Sequence, residues 1–218
     1  MDLFVALEAE RVAVADLLES LSDDEWRLDS CCDGWTIEDV AAHLTVVWTY
    51  SALDYLRRSM RQRGTWFKPA ASLHAINAQT IVERKAIGRP AIIADIRGHA
   101  GDRSTPSGFD ARAPLTDVVV HRRDIEIPLG RITDEQPEHA RPALGTATSR
   151  RYALFGHRKA LAGLSFRATD IDWSTGSGPL VTGPARTLAH AMWGRPVSLD
   201  ALDGEGLDIL RDRLGTGA

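Results

Sequence analysis

The chain has 218 residues, 44% of them hydrophobic and 26% charged, with a formal net charge of −4 and a pI near 6.0. That length can bury a sizeable core but is short for two ordinary domains, and the acidic balance gives no reason to expect nucleic acid as a partner. No run approaches the roughly 20 apolar residues needed to span a bilayer, and Asp2, Glu8 and Glu10 argue against reading the start as a signal peptide. The adjacent pair Cys31 and Cys32 excludes a disulfide framework of the secreted kind. A reducing, cytoplasmic location fits, and both cysteines read as loop thiols with no base near them in sequence.

In chain order, Leu3, Leu7, Val14, Leu17, Leu18 and Leu21 have helical spacing. A break at Ser22-Asp23-Asp24-Glu25 and a loop from Cys31 to Gly34 follow. Thr36, with Asp39 three residues on, predicts the N-cap of a second helix running to about Arg61. The arginines Arg57, Arg58, Arg61 and Arg63 along it read as a solvated face. Gly64 to Ala71 is a connector, Ser72 to Ile87 a third helix, and Pro90 to Ala100 a further helical stretch. Gly101 to Pro114 has the composition of a loop of functional size. Pro114 then opens a helix that ends near Pro128-Leu129-Gly130.

Beyond Pro137 the texture changes. Residues 138–159 look helical, Leu164 to Thr169 alternates as a strand does, and Asp170 to Ser174 continues in the same style. Gly176-Ser177-Gly178 reads as a turn, Pro179 to Thr182 as a strand, and Gly183-Pro184 as the start of a helix through Trp193. Short helices fill Leu199 to Leu214. The fold class expected is mainly α: a helical bundle over residues 1–158, then a small α+β domain over residues 159–218.

Two histidines stand out. His43 shares its predicted helix with Val40, Leu44 and Val47, which have core spacing. His121 follows Asp117 by four residues and precedes Asp124 by three, so all three side chains fall within one narrow arc of a helix. Val118, Val119, Val120, Ile125 and Ile127 surround them with apolar groups. A carboxylate in such a setting must be paired or metal-bound to escape a desolvation cost of several kcal/mol. If His43 faces this arc from a neighbouring helix, His43, Asp117 and His121 make a three-ligand divalent-metal site with open positions. Asp39, one turn before His43, is placed to orient its ring. Asp117 is the better ligand and Asp124 is read as pairing Arg122, Arg123 or a ring nitrogen, with the reverse order also open; Asp124 is the candidate catalytic carboxylate. The plainer reading puts Asp124 in solvent and leaves Asp117 to favour the helix N-terminus. His99 falls in a frayed region, His139 and His157 among surface charges. His74 and His190 have no partner at metal-ligand spacing, though His190 is placed to line an interdomain cleft.

These motifs carry a resemblance. Gly34-Trp35-Thr36 followed by Asp39-Val40-Ala41-Ala42-His43-Leu44, and Asp117 through Ile125 ending in Leu129-Gly130, resemble the mycothiol-dependent maleylpyruvate isomerase family of the DinB-like superfamily. Thr169-Asp170 with Trp173, Gly178-Pro179, Val181 to Ala185 and Gly194-Arg195-Pro196 look like that family's second domain. The resemblance implies a DinB-like four-helix bundle that holds a divalent metal, usually zinc, through His43, Asp117 and His121. The family's isomerase members carry Glu where this chain has Asp117. It also implies mycothiol as a thiol cosubstrate whose sulfur, activated at the metal, adds to an electrophile in isomerisation or S-transfer. Arg167, for the cofactor, and Arg195, for catalysis, are candidates to hold a carboxylate bidentately, with surface salt bridges as the plainer role. The expected partners are a small thiol and an electrophile. A non-catalytic metal- or ligand-binding protein is the alternative, and a water-activating hydrolase ranks third. Monomer and homodimer both stand open, with Trp66-Phe67 as an apolar interface candidate.

Overall fold

The computed structural model describes residues 1–51, 53–54, 57–58, 69–106, 108–133, 135–152 and 157–215, with only the backbone of 69–74. Trp66-Phe67, Arg61, Arg63 and the side chain of His74 therefore lie outside the described residues. The chain forms a mainly helical bundle followed by a small mixed α+β region. By internal contacts it divides into two units, Asp2–Leu129 and Gly130–Ala218, the latter with Met1. Gly130, at φ 62°, ends the bundle's last helix in the left-handed conformation that suits glycine. The division expected at residue 158 falls inside the second unit.

In the first unit, α1 (Leu3–Glu19) begins where the Asp2 carboxylate accepts the Phe4 N–H at 2.9 Å. Its stripe of Ala6, Leu7, Val14, Ala15 and Leu18 is buried. Helix α2 (Ile37–Leu44) starts from the predicted capping box: Asp39 N–H donates to Thr36 Oγ1 at 3.3 Å, and Thr36 N–H to Asp39 Oδ2 at 2.9 Å. The second helix does not run unbroken toward Arg61. Thr45 closes α2 with its N–H and Oγ1 both on the Ala42 carbonyl, and only the single turn α3 (Val46–Thr49) follows before Tyr50 turns extended. A threonine hydroxyl competing for the backbone explains the break.

Helices α4 (Pro69–Lys85), α5 (Arg89–Gly98) and α6 (Arg112–Leu129) complete the bundle. α1 packs on α5 and α6, and α2 packs on α4, α5 and α6. α6 is therefore buried nearly all round and must pair its charges. Arg122 donates to Glu10 Oε2 of α1 at 3.0 Å and to Glu126 Oε1 at 2.8 Å, and Arg123 reaches Glu126 Oε2 at 3.3 Å. The expected solvated arginine face is partly tied down, since Arg58 pairs with Glu83 and lies over the Tyr50 ring.

Asp39 also accepts from Lys85 Nζ at 2.7 Å, which joins α2 to α4. Burial works against its charge, but the Lys85 and Thr36 hydrogen bonds outweigh this and hold its carboxyl below the ordinary aspartate value. A depressed native pKa means stability that is complete above about pH 4, the unfolded value, and lost as pH falls through the lower native one. Asp39→Ala is expected to cost about 1–2 kcal/mol at neutral pH. Urea unfolding at pH 7 and pH 3 checks this: the gap between wild type and variant should shrink at the lower pH.

The second unit opens with a 3-10 turn (Pro137–Ala140), then α7 (Arg141–Ala147) and α8 (Arg158–Leu161), so the helix expected over 138–159 is broken into short pieces. Thr148 ends α7. β1 (Ser165–Ala168) lies between β2 (Ser174–Gly176), antiparallel to it, and β3 (Leu180–Gly183), parallel to it. Asp170–Trp173 turns the chain and does not extend the strand, because the Ala168 N–H already bonds the Trp173 carbonyl at 3.0 Å. Gly176, expected in a turn, belongs to β2 with φ 82°, where a Cβ would stand 2.2 Å from the Leu164 carbonyl oxygen. α9 (Ala185–Met192) packs on α7, with Trp193 Nε1 donating to the Ala143 carbonyl at 2.8 Å. That contact binds residues 137–147 to the α+β unit. A 3-10 stretch (Pro196–Ala201) and α10 (Leu207–Gly215) close the unit.

Candidate metal centre

The contact of α2 with α6 brings His43, Asp117 and His121 together. His43 Nε2 lies 3.6 Å from Asp117 Oδ1, and His121 Nε2 lies 3.5 Å from the same oxygen. The two imidazole centroids are 5.0 Å apart. Both nitrogen–oxygen separations are too long for good hydrogen bonds. They are slightly longer than the edges, roughly 3.3–3.4 Å, of a tetrahedron whose ligands each stand about 2.0–2.1 Å from a shared zinc-like ion. The donor set of two imidazoles and a carboxylate is one that a divalent metal accepts.

His121 is 8% exposed and held from behind: its Nδ1 is 2.8 Å from Asp124 Oδ2, and Asp124 is wholly buried. The carboxylate accepts Nδ1–H, so the ring carries its proton there and presents the Nε2 lone pair to Asp117 and His43. Asp124 thus takes the ring-nitrogen option among its expected partners. Arg122 and Arg123 reach Glu10 and Glu126 as described.

His43 is held differently. Its Nδ1 is buried and has no hydrogen-bond partner among the described residues. Asp39, expected to orient this ring, is drawn off to Thr36 and Lys85 because it closes the capping box and makes the α2–α4 ion pair. The ring is fixed by packing instead. Trp35 lies 5.1 Å from the His43 centroid and 6.1 Å from that of His121, inclined by 21° to the latter. The Ser30–Trp35 loop that carries it is closed by the Ser30 N–H on the Trp35 carbonyl at 2.8 Å and tied to α6 by the Cys31 N–H on the Asp124 carbonyl at 3.1 Å.

Asp117 keeps 43% of its side-chain surface, opening the cluster on one side. Desolvation opposes its charge, but contact with His43 and favourable electrostatics from the two rings and from the Arg11 guanidinium bring its carboxyl below the ordinary range. It stays an anion, the form that binds a cation.

Cys32, read from sequence as a loop thiol, was not among the expected metal ligands. Its ligand atom and those of His121 and Asp124 lie within 4.8 Å of one another. The two groups share His121, and its Nδ1 is committed to Asp124, which favours the set on Nε2. Trp35 was also missed, although its place directly before the Thr36 cap was a usable signal.

The remaining candidates lie elsewhere. Arg167 is exposed on β1, and Arg195 donates from Nη1 to the Trp193 carbonyl at 2.9 Å; both belong to the second unit. The cluster is assembled entirely by the first unit, without them. His190 is fully buried within the second unit and bonded through Nδ1 to Ser198 Oγ at 2.7 Å. His99 is not frayed, since it stacks on Trp48 at 5.2 Å and bonds the Asp95 carbonyl at 3.0 Å. No described helix is long and apolar enough to cross a membrane.

No curated protein and no solved structure matches the chain. Residues 7–105 match a family model described as the mycothiol maleylpyruvate isomerase N-terminal domain. The match includes His43 and Trp35 and ends before α6, so Asp117, His121 and Asp124 enter the site through geometry. The N-terminal part of the chain resembles that isomerase family, and it contributes to a cluster able to hold a divalent metal.

Proposed function

We propose that this protein is a DinB-like, metal-dependent enzyme that uses a low-molecular-weight thiol of the mycothiol kind to isomerise, or transfer sulfur to, an electrophilic small molecule. The observation that carries the reading is the convergence of His43 Nε2 and His121 Nε2 on one Asp117 oxygen, with Asp124 fixing the tautomer of His121. The resemblance of residues 7–105 supports the thiol.

A divalent ion such as zinc, when bound, supplies a Lewis acid that lowers a thiol's pKa toward neutrality. His43, Asp117 and His121 would hold that ion, and three protein ligands would leave room for the thiol. Asp124 keeps the His121 proton on Nδ1. Trp35 covers the two imidazoles and limits water on that side. Such a thiol would supply its sulfur as a nucleophile toward an activated double bond: release of the thiol after rotation would give the isomer, and uptake of a proton at the adjacent carbon would give the S-adduct. Arg167 and Arg195 keep the role of carboxylate holders only as proposals.

The test is consumption of an electrophile, maleylpyruvate among those tried, by zinc-loaded protein with and without mycothiol. Thiol-dependent turnover that disappears in His43→Ala is expected. Thiol binding without turnover of any electrophile would make the protein a non-catalytic metal and ligand binder instead.

A further inference from the structure

Arg11 of α1 is a buried cation with an unusual set of partners. It is 3% exposed, and its acidic neighbours Asp102 and Asp117 act on it through space. Its Nη1 donates to three carbonyls, those of His99 at 3.0 Å, Ala100 at 3.3 Å and Asp102 at 2.8 Å. Its guanidinium carbon sits 4.9 Å from the centroid of the Trp48 ring. Nε and Nη2 make no hydrogen bond to any described residue. Burial works against the charge, and Asp102 and Asp117 offset this only through space.

Arg11 lines a recess of the first unit together with Leu44, Val47, Trp48, Ile96 and Asp117. Charges are seldom buried without a partner, because desolvation costs several kcal/mol for each ion. Here the Nη1 donor is satisfied by backbone, while the Nε–Nη2 edge keeps two parallel N–H donors suited to a carboxylate. The innermost space is that of about one water molecule. A space that small suits a flat carboxylate better than a bulkier tetrahedral phosphate or sulfate.

We propose that this recess is an anion subsite in which Arg11 Nε and Nη2 donate to the carboxylate of a small electrophilic acid. Asp117 is at once a wall of the recess and a member of the metal cluster, so an acid anchored on Arg11 directs its other end to the open side of the cluster. That orientation rests on the metal-centre reading; anion binding at Arg11 does not.

The experiment follows the Trp48 indole N–H, which donates to Asp95 Oδ2 at 3.1 Å beneath Arg11. Zinc-loaded protein with nitrogen-15 tryptophan is titrated with formate at constant ionic strength, with Trp48→Phe to assign the resonance and formamide as the neutral control. A saturable shift with formate and none with formamide is expected. The apparent Kd should weaken at least about tenfold in Arg11→Lys, which keeps the charge but loses the fork, and in Val47→Phe, which takes up space at the lining and leaves Arg11 intact. Acrylate, the smallest alkene acid, should shift the same resonance. Persistence of the formate shift in His121→Ala would place the anion at Arg11 whether or not the cluster holds metal. No saturable shift, an equal response to formamide, or an unchanged Kd in Val47→Phe would overturn the subsite. Formate binding without acrylate binding would overturn its assignment to the electrophile.

Discussion

His43→Ala and His121→Ala are both expected to purify without bound metal, where the wild type carries close to one equivalent. Loss of a partner that merely orients a metal-binding histidine costs about 10–100-fold in affinity, so loss of a ligand itself should exceed about 100-fold. The two variants should differ in stability. His43 makes no hydrogen bond through its buried Nδ1, so its removal costs mainly packing against Trp35 and His121. His121 is the partner of wholly buried Asp124, and its removal takes a charge-assisted hydrogen bond from a buried carboxylate, worth about 1.5–3 kcal/mol. Elemental analysis beside urea unfolding separates these effects. Both variants should be metal-free, and His121→Ala the less stable. Stoichiometric metal in both would remove the cluster as the binding site. His43→Ala is the cleaner variant, because its fold is the less disturbed.

Asp124→Asn is expected to lower metal affinity about 10–100-fold while leaving the fold nearly intact. The carboxylate only accepts, so it holds the His121 proton on Nδ1 and keeps Nε2 free at 3.5 Å from Asp117. An amide of the same size can turn its NH2 toward Nδ1, which moves the ring proton to Nε2 and blocks the metal-facing lone pair. Asparagine also carries no charge to bury, so stability should change little or rise slightly. Competition with a chromophoric chelator gives the affinity, and thermal unfolding of the metal-free form gives the stability. Unchanged affinity would reduce Asp124 to a packing residue. A fall in affinity and stability together would show only that the helix had been disturbed.

Particular residues show how far the sequence alone reaches. The Asp117–His121 and His121–Asp124 steps are intervals of four and three residues on one helix, and helical geometry placed them on one arc as expected. The Thr36–Asp39 box is equally local, and it formed. The extent of the second helix was misjudged because Thr45 competes for the Ala42 carbonyl, a choice that apolar periodicity does not register. Asp39 was assigned to His43 by spacing, yet Lys85, 46 residues onward, claims its carboxylate.

The sequence by itself determined the helical character of the first unit, the strand-containing character of the second, and the grouping of Asp117, His121 and Asp124. All of these follow from the 3.6- and 2-residue periods, which depend on near neighbours in the chain. The tertiary structure alone decided that His43 meets that group, that Trp35 covers both rings, that Cys32 stands beside His121 and Asp124, and that Arg11 is buried against three backbone carbonyls. Each of these is a pairing between elements distant in sequence. Their partners are selected by which helix faces must be buried together, and no spacing along the chain encodes that.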